Sequence, residues 1–242
     1  MFLRIGVFYL LTWFFLVLLG GTQQATDLLP QEFGLAQWGP GIAAFVMLLI
    51  FRKDGHRITF FSKEIPAIRY LYAALIPVGV SLIVLLVRSL LHIEPSVDAP
   101  VYGSLFLLIL WMPFGAIGEE LGWRGYLHKK LNPRMRGVFS SLLVGVLWMP
   151  IHVQFFSQGP IFLFFLALLI ISYSVVIYAL VQDTGFSVLL ASIFHLAINL
   201  SNLLFLDVIH ETSFMMVNAI IWVVVAVVVL FTKKELFFAS KG

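Results

Sequence analysis

The sequence contains no cysteine. Disulfides, thiolate nucleophiles and cysteine metal sites are therefore excluded. Charge is scarce too: Asp, Glu, Lys and Arg make up 11% of 242 residues, against 61% hydrophobic residues. With a mean hydropathy of +1.04, too little polar surface is available for a water-soluble domain of this length. No serine occupies a G-x-S-x-G setting, and there is no H-E-x-x-H helix signature. Internal repeats, low-complexity tracts and a second domain are also missing. The net charge of +3 gives no sign of nucleic-acid binding. Polar chemistry falls to six histidines and twelve carboxylates.

Long apolar runs are what the sequence has instead. A bilayer is crossed by about 20 apolar residues in a helix. Eight such stretches are read, over roughly 5–21, 33–51, 68–91, 101–127, 138–156, 160–181, 187–206 and 212–232. The expectation is an all-α, polytopic membrane bundle of about eight helices, forming one domain over residues 1–242. The first run, preceded by Arg4, reads as an uncleaved anchor rather than a signal peptide. An even span count puts both termini on one side. Arg4, Arg52, Lys53, Arg57, Lys63, Lys129, Lys130, Arg134, Arg136, Lys233, Lys234 and Lys241 then fall on that side. Asp27, Glu32, Glu94, Asp98, Asp207 and Glu211 fall on the other, in loops without Lys or Arg. Basic residues mark the inside, so both termini are expected in the cytoplasm of a multi-pass cell-membrane protein. Residues 56–65, "HRITFFSKEI", alternate basic and aromatic side chains. They read equally as an interfacial segment or a plain connecting loop.

Ionisable groups at membrane depth are costly and usually face a protein interior or a wet cavity. Glu119, Glu120 and Arg124 form one such group. Glu120 and Arg124 are four apart and can pair on one helix face, leaving Glu119 about 100° away. Gly115, Gly118, Gly122 and Gly125 make a stripe that admits another helix at close range. The alternative is that these charges lie in the interface. A second group is "WMPIH", in which Trp148 and His152 share a face and Pro150, lacking an amide hydrogen, tends to kink the helix. A third is "HLAIN", in which His195 and Asn199 share a face. Each of these could also be packing or interhelical hydrogen bonding. Counting from the cytosolic turns, Glu119, His152 and Asn199 each lie roughly 20 Å along their helices, and His195 roughly 15 Å. Three helices thus bring polar groups to similar depth.

Such a cluster suits hydrolysis. Glu119 could take a proton from water, with His152 holding the water or relaying the proton. His195 and Asn199 could donate to a developing oxyanion. Two histidines and a glutamate (Glu119, His152, His195) are also a zinc set, although no cofactor is required by the first reading.

At these residues the chain resembles the CAAX protease and bacteriocin-processing (Abi) family of intramembrane endopeptidases. The family pattern is E-E-x-x-x-R, F-x-x-x-H and H-x-x-x-[ND]. Here it reads "EELGWR" at 119–124, "WMPIH" at 148–152 and "HLAIN" at 195–199, with Trp148 replacing the pattern's Phe. The resemblance covers about residues 100–200. It implies a glutamate-dependent peptidase acting on a membrane-associated peptide or protein. In it Glu119 and His152 would activate water, His195 and Asn199 would form the oxyanion hole, and Glu120, Arg124 and Trp148 would support them. Two other classes remain open: a non-catalytic bacteriocin-immunity or protein-binding scaffold of the same family, and a transporter with a proton relay.

Overall fold

The computed structural model describes residues 2–26, 30, 33–94, 104–205 and 207–240. Asp27, Glu32, Asp98, Lys241 and the first residues of the expected fourth span (101–103) lie outside them. The described residues form helices and connections, with no strand among them. In chain order the helices are α1 (Phe2–Thr26), α2 (Gly39–Ile50, entered through a 3-10 turn at Leu35–Trp38), α3 (Ala67–Leu90) and α4 (Leu105–Glu120). They continue with α5 (Gly137–Trp148), α6 (Pro160–Val181), α7 (Val188–Asn202), α8 (Thr212–Thr232) and a short α9 (Lys234–Phe238). Six helical stretches are long and apolar enough to cross a membrane; Leu35–Ile50 and Gly137–Ile151 are apolar but shorter. Together they coincide with the eight apolar runs of the sequence. The protein is an all-α, multi-pass membrane bundle.

Helix ends follow local chemistry. Ser104 Oγ accepts from the Leu107 amide, at 3.2 Å, and so caps α4. Pro160 opens α6, where its missing amide costs nothing. Gly185, at φ +67°, adopts the left-handed conformation just beyond α6. In the interior α6 packs on α8 and α5, α3 on α7, and α4 on α7 and α2. Trp123, Trp148, Trp222, Phe162 and Phe194 are buried, while Phe106, Leu75 and Phe231 face outward, as a lipid-facing surface requires.

The stripe of small residues works as expected. A Cβ on Gly118 would meet the backbones of Gln37 and Trp38, and one on Gly122 would lie 2.4 Å from Pro40. The start of α2 therefore rests directly against α4.

Two elements depart from the expected regular helices. Beyond Glu120 the helix widens into a π-helix, Leu121–His128, before a last α-turn at Lys129–Leu131. The fifth span, expected to run to residue 156, leaves α-geometry at Trp148. Met149–Ile151 form a 3-10 turn around Pro150, and His152 is a non-helical junction before a second 3-10 segment, Val153–Gln158. Proline's missing amide and ring clash account for the break.

The segment beginning at His56 is a strap. The Thr59 and Phe60 carbonyls accept the Val188 and Leu189 amides at 2.9 Å, satisfying donors that the first turn of α7 cannot pair internally. Lys129 Nζ donates to the Arg57 carbonyl and Thr59 Oγ1, both at 2.8 Å. His56 Nε2 donates to the Gly125 carbonyl at 3.1 Å. Ion pairs gather the other basic segments at the same end: Arg4 and Lys130 both reach Asp54, and Arg69 forks onto Asp183. The Lys130 hydrogen bond holds the Asp54 carboxyl below its ordinary range. Tyr178 donates to Asn132 at 2.8 Å and packs on Phe237 of α9, bringing the C-terminal segment to this end too. Arg88 pairs with Asp207 at the opposite end.

Candidate active site

Glu119 and Glu120 are both buried at the end of α4, where its α-geometry gives way to the π-helix. Being adjacent, they face different neighbours. Glu120 Oε1 accepts from Arg124 Nη1 at 2.7 Å, with both side chains fully enclosed. The sequence-expected pair therefore forms. The same oxygen also meets His195 Nδ1 at 2.9 Å. His195 is thus partnered by the second glutamate, not the first. A buried carboxylate with two charged or chargeable donors avoids the cost of an unpaired interior charge.

Glu119 has a different shell. Trp148 Nε1 donates to its Oε2 at 2.6 Å, and Gln37 Nε2 donates to its Oε1 at 3.2 Å. Both donors are neutral. They fix the orientation of the carboxylate without giving it a counter-ion. Each carboxylate oxygen can accept more than one hydrogen bond, so this shell leaves room for a water. Gln37 reaches Glu119 because Gly115 has no side chain: a Cβ there would fall 1.9 Å from Gln37 Oε1.

Trp148 ties the cluster together. Its ring lies 4.2 Å from the Arg124 guanidinium carbon, a cation–π contact. It also meets the His195 ring at 5.3 Å and the His152 ring at 5.9 Å, edge to face. His152 Nδ1 lies 3.2 Å from the carbonyls of Trp148 and Met149. Carbonyls only accept, so Nδ1 carries the proton and Nε2 is the acceptor in the neutral ring. His195 is tied through Nδ1 in the same way, here to a carboxylate.

A cavity of about 380 Å³ contains all the groups singled out from the motifs except Glu120 and Arg124, which lie behind its wall. Glu119, Trp148, His152, His195 and Asn199 line it. The Asn199 side-chain amide makes no hydrogen bond to the described residues and borders the cavity, so it is available to a ligand. Leu108, Met112, Leu166, Leu169 and Ile170 supply an apolar wall. The zinc arrangement does not fit. No three His, Asp or Glu groups among the described residues come together at metal-ligand spacing. Glu119 turns to Trp148 and Gln37, while His195 turns to Glu120.

Sequence reasoning missed several lining residues: Gln37, Tyr173, Asn202 and Asn218. The signal was present for three of them. Gln37, Asn202 and Asn218 are amides inside apolar spans, the criterion that picked out the histidines.

Residues 100–201 match the family model described as type II CAAX prenyl endopeptidase, Rce1-like. The chain is also similar to "CAAX prenyl protease 2" of Methanococcus maripaludis, at 31% identity over 149 residues. That match covers 57% of this chain and 52% of the relative, so the chain spans about half the length of the curated relative it matches. All three motifs, and most of the residues around the Glu119 cavity, lie within the stretch matched by the family model, so the similarity to type II CAAX prenyl endopeptidases covers the candidate site.

Proposed function

We propose that this protein is an intramembrane endopeptidase in which Glu119 activates water. The observation that carries the reading is convergence: Glu119, His152, His195 and Asn199, from three separate parts of the chain, line one cavity inside the bundle. The relative's name, a CAAX prenyl protease, supports a peptidase. The apolar wall beside the polar cluster suits a membrane-associated or lipid-bearing peptide.

The chemistry balances without a covalent intermediate. Glu119 takes a proton from water as the water oxygen bonds to the scissile carbonyl carbon. The carbonyl oxygen becomes an oxyanion, which accepts hydrogen bonds from the Asn199 amide and from His195 Nε2. His195 can donate there only as the imidazolium, with Glu120 as its counter-ion at Nδ1. The C–N bond then breaks, and the leaving amine takes the proton held by Glu119, directly or through His152 Nε2. Glu120, Arg124 and Trp148 hold these groups in place. No metal is needed for any step.

The test is cleavage of membrane-linked peptides, including prenylated CaaX tails, by the full chain in proteoliposomes. Glu119→Gln should reduce turnover by about 10³-fold. His195→Ala and Asn199→Ala should each cost about 10²–10³-fold. Undiminished cleavage by Glu119→Gln would sink the mechanism. The neutral donors already on Glu119 also favour a second reading, a binding or immunity scaffold that uses the cavity to hold a partner. Under it no peptide is cleaved, and a membrane protein or peptide co-purifies in a Glu119-dependent manner.

A further inference from the structure

A second cavity, of about 280 Å³, opens at the basic end of the bundle and is separate from the Glu119 cavity. Arg4, Ile5, Tyr126, Leu127, Lys130 and Arg134 line it. Three cations therefore converge on one space from the start of α1, from the turn after the π-helix and from the connection to α5. Asp54 meets two of them and is shared: Arg4 and Lys130 both bind its Oδ2. Arg134 has no carboxylate partner among the described residues, and its Nη1 donates only to the Lys130 carbonyl, at 3.2 Å. Three cations against one carboxylate leave the cavity positive. Tyr126, which lines the cavity, has its ring held against Phe8 at 5.1 Å, and its hydroxyl has no partner among the described residues. Donors of this kind, forked guanidinium, ammonium and phenol, fit a phosphate ester anion.

We propose that this cavity binds the phosphate headgroup of an anionic phospholipid from the leaflet at the basic end. The surroundings favour a lipid over free phosphate. Phe2 and Leu3 beside Arg4 are 75% and 80% exposed, and Leu49 and Ile50 at the end of α2 are exposed as well. Acyl chains would lie along these side chains while the headgroup enters the cavity. A juxtamembrane basic cluster attracts the anionic surface of a bilayer in the same sense. Bound there, the lipid would bridge α1 and the segment that continues α4.

The experiment uses the full chain in mild detergent, with lipid occupancy read by native mass spectrometry and stability by thermal unfolding. Probes are phosphatidylglycerol, phosphatidylcholine and inorganic phosphate. Phosphatidylglycerol should be retained one to one and should raise the midpoint. Arg134→Gln, which gives up only a backbone contact, should weaken retention about tenfold, as loss of a charge-assisted hydrogen bond does. Tyr126→Phe should weaken it less, and Arg136→Gln, an exposed cation outside the cavity, should leave it unchanged. Equal retention of phosphatidylcholine, or wild-type retention by Arg134→Gln, would overturn the proposal. So would inorganic phosphate stabilising the protein as much as phosphatidylglycerol does, because the site would then be one for free phosphate. Peptide cleavage plays no part in this readout, so it stands or falls apart from the peptidase reading.

Discussion

Trp148 carries more of the cluster than its place in a motif suggests. In the family pattern that position is Phe, which can pack but cannot donate. Here the indole N–H reaches Glu119 at 2.6 Å while the ring covers Arg124. Trp148→Phe separates the two roles. The ring contacts survive, so folding in detergent should be preserved. The donor to a carboxylate is lost, a change of about 1.5–3 kcal/mol, or roughly 10–100-fold in kcat/KM. Full activity in Trp148→Phe would mean that Gln37 alone orients Glu119. At this scale the sequence was largely legible, because charge inside an apolar run is conspicuous. It disclosed the Glu120–Arg124 pair from spacing alone. It could not disclose that His195 binds Glu120, because that contact depends on how α7 is rotated against α4. Nor could spacing single out Gln37, which lies 82 residues from the glutamate it contacts.

The elements around the candidate site depart from ideal helices next to the residues of the motifs. The wide turn at Leu121–His128 carries Arg124, and the non-helical junction after α5 carries His152. π-Helical turns often mark functional sites, and this one keeps Glu120 and Arg124 in contact while re-aiming the last turn, Lys129–Leu131. Sequence reading foresaw a kink at Pro150, because proline has a mechanical signature, but not that the helix ends there. The π-helix has none in the chain, since glycines permit it without requiring it. The depth count still brought the polar groups level, because one widened segment shifts a helix end by only a few ångströms. Gly122 tests the tight seat of this element. Its Cβ would collide with the Pro40 backbone at 2.5 Å, and neither backbone can give way cheaply. Gly122→Ala should destabilise the protein by about 1–3 kcal/mol, seen as a lower unfolding midpoint. Gly6→Ala, where no atom lies within 4 Å of the new methyl group, should not.

At the scale of the whole molecule, charge placement and packing reach the same partition independently. The segments that the basic residues assign to one side are those that Asp54, Asp183, Asn132 and Phe237 draw together at one end of the bundle. Packing alone cannot say which compartment that end faces, since a bundle has the same contacts in either orientation. The excess of Lys and Arg predicts the direction: basic loops resist translocation, so the basic end is expected in the cytoplasm. The missing cysteines make this measurable without background. Lys63→Cys on the strap side and Lys234→Cys at the start of α9 are exposed positions at the basic end, and Ser213→Cys is exposed at the start of α8 near the other. In intact cells a membrane-impermeant maleimide should label Ser213→Cys alone; after lysis it should label all three. Labelling of Lys63→Cys and Lys234→Cys on opposite sides would mean that Gly137–Ile151, the shorter helical stretch that lies between them, turns back within the bilayer instead of crossing it. Labelling of both, with Ser213→Cys protected, would invert the protein and put the phosphate-sized cavity in the outer leaflet.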